Sequence, residues 1–162
     1  MLNPAIIRAM ADDHTEKHRT RVIREAERIC AEAGEQLTPL RRRVLELLLA
    51  QNGPAKAYDL LAGLGTASGP AKPPTVYRAL EFLMRLGLAH RIESLNAFVA
   101  CDVGACVRST IFLICDKCRR AEEVDAGHAL VDLSEAAAKD GFQIKRTMIE
   151  ATGLCAACLK AA

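Results

Sequence analysis

The chain has 162 residues, 51% of them apolar, with 22 Lys and Arg against 20 Asp and Glu. That length suits one ordinary domain or two small ones sharing a hinge, and the apolar half supplies a real core although tryptophan is absent. No apolar run approaches membrane-spanning length. Ala9-Met10-Ala11 faintly matches a signal cleavage site, but the stretch before it is short, lacks a basic start and is broken by Arg8, so a cytoplasmic protein with no membrane partner is expected.

Charge and cysteine usage narrow the classes further. Up to Ser94 there are 14 Lys/Arg and 11 Asp/Glu; beyond it there are 8 and 9. A mildly basic front half permits nucleic-acid binding without demonstrating it. Seven cysteines are many for such a chain, and in a reducing compartment they favour metal or redox chemistry over structural bridges.

Residues 1–14 carry no periodic pattern and read as a mobile leader. His14 and His18 stand one turn apart and could share a metal, but charged neighbours on all sides favour a solvated helix start. Over 15–33, Val22, Ile23, Ala26, Ile29, Cys30 and Ala33 keep helical spacing, and Gly34 ends the helix. Cys30 lies on this stripe and reads as core. Thr38-Pro39 then supplies an N-cap and a first-turn proline. Leu40, Val44, Leu47 and Leu48 form one apolar face, with Arg41, Arg42 and Arg43 opposite as either a solvated charge run or phosphate contacts.

A short helix, KAYDLLAGL, buries Ala57, Leu60, Leu61 and Leu64. After the loop GTASGPAKPP, Pro73 and Pro74 open the helix of TVYRALEFLMRLGL. Its stripe is Val76, Ala79, Leu80, Leu83 and Met84, which turns Tyr77 and Arg78 outward; Gly87 caps it. AHRIES and NAFVAC read as two strands joined by a tight turn at 94–96. Short helices ending in a hairpin make a winged helix–turn–helix, whose last helix enters the major groove. The plainer reading is a small helical bundle. The placement of Tyr77 and Arg78 in the first turn of a proline-started helix favours the DNA reading.

Beyond residue 109 the character changes. TIFLIC reads as a strand, GHALVDLSEAAAKDGF as a helix and QIKRTMIEA as another strand. A helix against two or three strands is thin, with sheet edges of the kind a partner subunit covers. Cys115/Cys118 and Cys155/Cys158 form two Cys-x-x-Cys pairs 36 residues apart, each expected in a turn at a strand end. Two such pairs can complete a closed tetrahedral zinc cage. A dithiol redox centre would need a single pair opening a helix after a strand, a context not expected here. His90, Cys101, Cys106, Glu122 and Glu123 are further candidate ligands of mixed type, suited to zinc, against a plainer reading as packing and solvated residues.

LTPLRRRVLELL, AYDLL, KPPTVYRALEFL, HRIESLNAFVAC, FLICDKC and GLCAAC together resemble the ferric-uptake-regulator (Fur) family, over about 15–160, and most of all its zinc-uptake-regulator branch. The resemblance implies an α+β chain: a winged-helix DNA-binding domain (15–100) and a C-terminal α/β dimerisation domain (101–162). It implies a homodimeric, metal-responsive repressor of metal-uptake genes that binds palindromic double-stranded operators. Neither catalysis nor a small-molecule substrate is implied. By position, Tyr77 and Arg78 match base-reading residues, with Thr75 and Arg41 as further DNA contacts. Cys115, Cys118, Cys155 and Cys158 match a structural zinc site. His90, Cys101 and Glu123 match a regulatory one, so two zinc ions per subunit are expected. The loop DVGACVRSTIFLI lacks the histidine that relatives use as fourth regulatory ligand, and Cys106 is the expected substitute. It also lacks the clustered histidines of iron- and peroxide-responsive relatives, which are the alternative within the family. A zinc-thiolate or dithiol oxidoreductase is the alternative of another class.

Overall fold

The computed structural model describes residues 16–51, 53–65, 72–101, 109–124, 127–145 and 147–161. They fall into two compact units, one within Ala11–Gly104 and one within Ala105–Ala162. His14 and Cys106 lie outside the described residues. No helix among the described residues is long and apolar enough to cross a membrane.

The first unit contains α1 (Glu16–Glu32), α2 (Pro39–Leu49), α3 (Ala57–Gly63) and α4 (Pro73–Arg85), followed by the hairpin β1 (Ala89–Ile92) and β2 (Ala97–Ala100). The helix starts obey local chemistry. Thr38 Oγ1 accepts a hydrogen bond from the Arg41 amide, and prolines occupy the first turns of α2 and α4. Gly34 and Gly87 end α1 and α4 with φ near +70°, a left-handed conformation that costs glycine little. The strands pair antiparallel, with Ala89 opposite Ala100 and Ile92 opposite Ala97. Asn96, another left-handed residue (φ 46°), turns the hairpin. A backbone bridge between Ala55 and Phe98 ties it to the chain before α3.

The core of this unit is Val22, Val44, Leu45, Leu60, Val76, Leu80, Leu83 and Leu88, all essentially inaccessible to water. Burying each side chain of this size stabilises the fold by about 1.5–3 kcal/mol. Three details differ from the periodic reading. Leu45 and Leu49 are buried and Leu40 is exposed, because α2 packs on two sides and its apolar face is wider than one stripe. Phe82 of α4 is buried while Met84 is only half-buried. Ala33 is exposed at the end of α1.

The second unit has β3 (Ser109–Cys115), β4 (Ala121–Val124), α5 (Gly127–Lys139), β5 (Thr147–Gly153) and α6 (Ala156–Lys160). The sheet order is β4-β3-β5; β3 runs antiparallel to β4 and parallel to β5. A parallel return needs a crossover, which α5 provides. The last strand covers 147–153 rather than 143–151, in register with β3 from Ser109 opposite Thr147 to Cys115 opposite Gly153. That register sets Cys115 beside the end of β5, so both Cys-x-x-Cys pairs leave the same end of the sheet.

Candidate metal centre

Four sulfurs converge at that end. Cys115 closes β3 and Cys118 follows in the turn before β4. Cys155 is the N-cap of α6, and Cys158 lies three residues on, on the same helical face. The second pair therefore opens a short helix after a strand, where the sequence led us to expect a plain turn and no such redox-like context. The backbone braces the arrangement. The Asp116 amide donates to the Gly153 carbonyl at 2.8 Å, the Arg119 amide to the Cys115 carbonyl at 2.9 Å, and the Cys155 amide to Cys115 Sγ at 3.4 Å. Arg119 stands in the left-handed region (φ 59°), where a knuckle turn suits glycine.

All four ligand atoms lie within 4.8 Å of one another, and all four cysteines are free thiols. Cys118 Sγ is 3.8 Å from Cys155 Sγ. A tetrahedral zinc with Zn–S bonds of about 2.3 Å has S···S edges of about 3.8 Å, whereas a disulfide needs about 2 Å. The donor set fits zinc. Its electrostatics also call for a cation. Amides of Cys118 and Cys155 pointing at Cys115 hold its thiol down at about 6. Hydrogen bonding to Cys155, burial and the neighbouring sulfurs push Cys158 up to about 12. One thiolate is accommodated by the protein alone, but accumulating negative sulfurs oppose the last ionisation. A dication removes that opposition.

The other candidate ligands are distributed across both units. In the first, His90 of β1 and Cys101, just past β2, are both buried and bring ligand atoms within 4.8 Å of each other. The Cys101 amide donates to the Leu88 carbonyl at 3.1 Å. Cys101 is disulfide-bonded. In the second, Glu122 pairs with Arg120 at 3.8 Å. Glu123, its neighbour on β4, faces the opposite side of the strand.

The winged-helix unit presents a second surface of interest. Tyr77 is half exposed and Arg78 is exposed in the first turn of α4; Thr75 is half-buried, its amide held by the Lys72 carbonyl at 2.9 Å. The side-chain charges of Lys56, Lys72 and Arg78 have no carboxylate partner among the described residues, although the Lys56 amide donates to Asp59 Oδ2 at 3.3 Å; Tyr58 of α3, two residues from Lys56, is 79% exposed. The arginines of α2 are different. Arg42 pairs with Glu27 and Glu46, Arg43 with Glu46, and Arg41 with Glu35. Within α2–α4, the positive charge without a carboxylate partner therefore lies around α3 and α4, not along α2. Tyr58 was legible only as part of AYDLL; the stripe Ala57, Leu60, Leu61 and Leu64 leaves it outward.

The sequence profile of the Ferric uptake regulator family matches residues 32–152. The chain belongs to this family. Within the family, it is 43% identical over 140 residues to the zinc uptake regulation protein of Escherichia coli (strain K12), covering 86% of this chain and 82% of that one. Its structure is similar to a zinc uptake regulator complexed with zinc and DNA (TM-score 0.81, 41% identity, 88% of this chain and 96% of the other). It is also similar to a holo form of XcZur (TM-score 0.78, 44% identity, 89% and 99%). The fold is therefore the α+β arrangement of the family, a winged helix followed by an α/β domain. Cys155 and Cys158 fall beyond the end of the family match, so the closed four-thiol cluster is evidence from this chain's own geometry.

Proposed function

We propose that the protein is a zinc-responsive transcriptional repressor, acting in the cytoplasm as a homodimer on palindromic operators of zinc-uptake genes. The observation that carries this reading is the likeness, along nearly the whole chain, to a regulator solved with both zinc and DNA, joined to a four-thiol cage of zinc dimensions. Zinc, when bound, supplies the dication that lets four thiolates sit together. Cys115, Cys118, Cys155 and Cys158 hold the structural ion, staple the C-terminal tail to β3, and give the thin unit folding free energy that its core lacks.

A second zinc is assigned to His90, Cys101 and Glu123, with Cys106 as fourth ligand. Because these residues belong to both units, occupancy of the site biases how the two winged helices of a dimer are posed. Cys101 held in a disulfide has no thiolate to give, so this second ion is expected only in reductant. On the DNA side, Lys56 and Lys72 face phosphates, and Tyr77, Arg78 and Thr75 approach base edges from the first turn of α4. The working domains are 15–100 for DNA and 101–162 for zinc and dimerisation.

The test is to count zinc per subunit in reduced protein and to follow its binding to duplex DNA by fluorescence anisotropy, with and without a chelator. Two zinc ions and chelator-sensitive binding are expected. Metal-free folded protein, or binding indifferent to the chelator, contradicts the proposal. One observation favours a second reading: Cys155-x-x-Cys158 opens a helix after a strand, as dithiol redox motifs do. Thiol titration separates the two readings. Zinc-protected, slow thiols support the repressor, and fast thiols in zinc-loaded protein support an oxidoreductase.

A further inference from the structure

Arg41 is the one α2 arginine whose guanidinium is directed inward. Its Cζ lies 3.5 Å from the centroid of the Phe82 ring, well inside the range of a cation–π contact. Its Nη1 donates to the Gln36 carbonyl at 2.7 Å and approaches Glu35 at 3.9 Å. Arg85, one turn beyond Phe82 on α4, also stands over that ring at 5.3 Å and donates to Glu35 at 2.7 Å. Two arginines from different helices therefore share one ring and one carboxylate. Glu35 and Gln36 come from the α1–α2 turn, Arg41 from α2, and Phe82 and Arg85 from α4.

The cluster joins three segments at one point, and that point lies on the recognition helix. Arg78, Phe82 and Arg85 fall at i, i+4 and i+7, one stripe of α4, with Arg78 about 6 Å along the axis from Phe82. A rotation of α4 at Phe82 carries Arg78 with it. A phosphate, by contrast, would have to draw Arg41 away from a ring, a carbonyl and a carboxylate that already satisfy it.

We propose that Arg41 is a positioning residue, not a phosphate contact: by stacking on Phe82 and binding the α1–α2 turn, it fixes the orientation in which α4 presents Arg78 and Tyr77. This rests on the DNA-binding reading above. The role makes a distinctive demand on the side chain. A planar guanidinium stacks and donates in several directions at once, which the compact lysine ammonium does not do.

The experiment uses full-length zinc-loaded protein and two duplexes of equal length, one recovered from a randomised pool by the wild-type protein and one of random sequence. Affinities are measured by anisotropy across a salt series for wild type, Arg41→Ala, Arg41→Lys and Phe82→Leu, at temperatures where circular dichroism shows each folded. The selected-over-random ratio is expected to fall about fivefold or more in all three variants, with the salt slope unchanged. Arg41→Lys keeps the charge and folds if Arg41→Ala does not, so it carries the result by itself. Three results would overturn the proposal. One is equal weakening on both duplexes with a salt slope shallower by about 0.9 in Arg41→Ala, the signature of a lost phosphate contact. Another is full rescue by Arg41→Lys. The last is a lowered melting temperature with an unchanged ratio, the mark of a merely structural residue. A wild type that does not bind the selected duplex in a zinc-dependent way would instead defeat the underlying function.

Discussion

The two units of this chain are held together by different physics. Among the described residues, 25 of the 29 buried apolar side chains lie within 16–101 and only Phe112, Ile114, Cys115 and Ala121 within 109–161. The winged-helix unit therefore folds by burying apolar surface in water, in the ordinary way. The second unit leaves Val131, Phe142, Leu154 and Leu159 at least 45% exposed. Its four free thiols, Cys115, Cys118, Cys155 and Cys158, converge within 4.8 Å of one another, and on the proposed zinc reading an ion held there would supply the folding free energy that its own core lacks. A unit whose stability comes from a bound ion responds to the ion's supply; one stabilised by its own core does not. This division suits a regulator, in which the reading head stays intact while metal governs the rest.

The comparison is broken most severely at the cage. Cys158→Ser, or removal of zinc by a strong chelator, should unfold the second unit while leaving the helices of the first, because structural zinc contributes on the order of 10 kcal/mol to small metal domains. Amide NMR spectra checked unit by unit should show collapse of β3–β5 resonances alone; loss of both units together would deny the division. The converse substitution is Leu80→Ala, in the dry core of the first unit. It should cost about 2–5 kcal/mol in urea unfolding, with zinc content per subunit unchanged.

Smaller changes sharpen the picture. Arg78→Ala should cost about 1–3 kcal/mol on a selected duplex and relax base preference, with the winged-helix unit fully folded; uniform weakening on all duplexes would make Arg78 a phosphate contact. The smallest effect is expected at Arg119, whose left-handed backbone costs an L side chain about 1 kcal/mol. Arg119→Gly should raise the melting temperature of the zinc-loaded protein slightly, and a lower melting temperature would contradict the strain assigned to this turn.

The winged helix was legible because its signals are local. Thr38-Pro39, Pro73-Pro74 and Gly87 punctuate the helices, and the apolar stripes between them place Tyr77 and Arg78 outward without any tertiary information. The meeting of the four thiols was legible too, from the two Cys-x-x-Cys pairs. What the sequence could not convey depends on contacts between distant segments. Phe82 looks like any other residue of an amphipathic helix until Arg41 is found stacked on it from 41 positions away. Glu35 looks like a solvated carboxylate until two arginines meet at it. The short helix α6 was hidden because GLCAAC carries no capping side chain or apolar period, and its start is fixed by the sheet register that brings Cys155 to Cys115.

The most direct test of the central claim is native mass spectrometry of the reduced dimer bound to a selected duplex, recorded while a chelator of moderate strength is added. Two zinc ions per subunit should be seen at the start, and loss of one from each subunit should coincide with release of the duplex from a dimer that keeps its other zinc. A dimer that holds the duplex after losing that ion, or one that never carried zinc, would contradict the account.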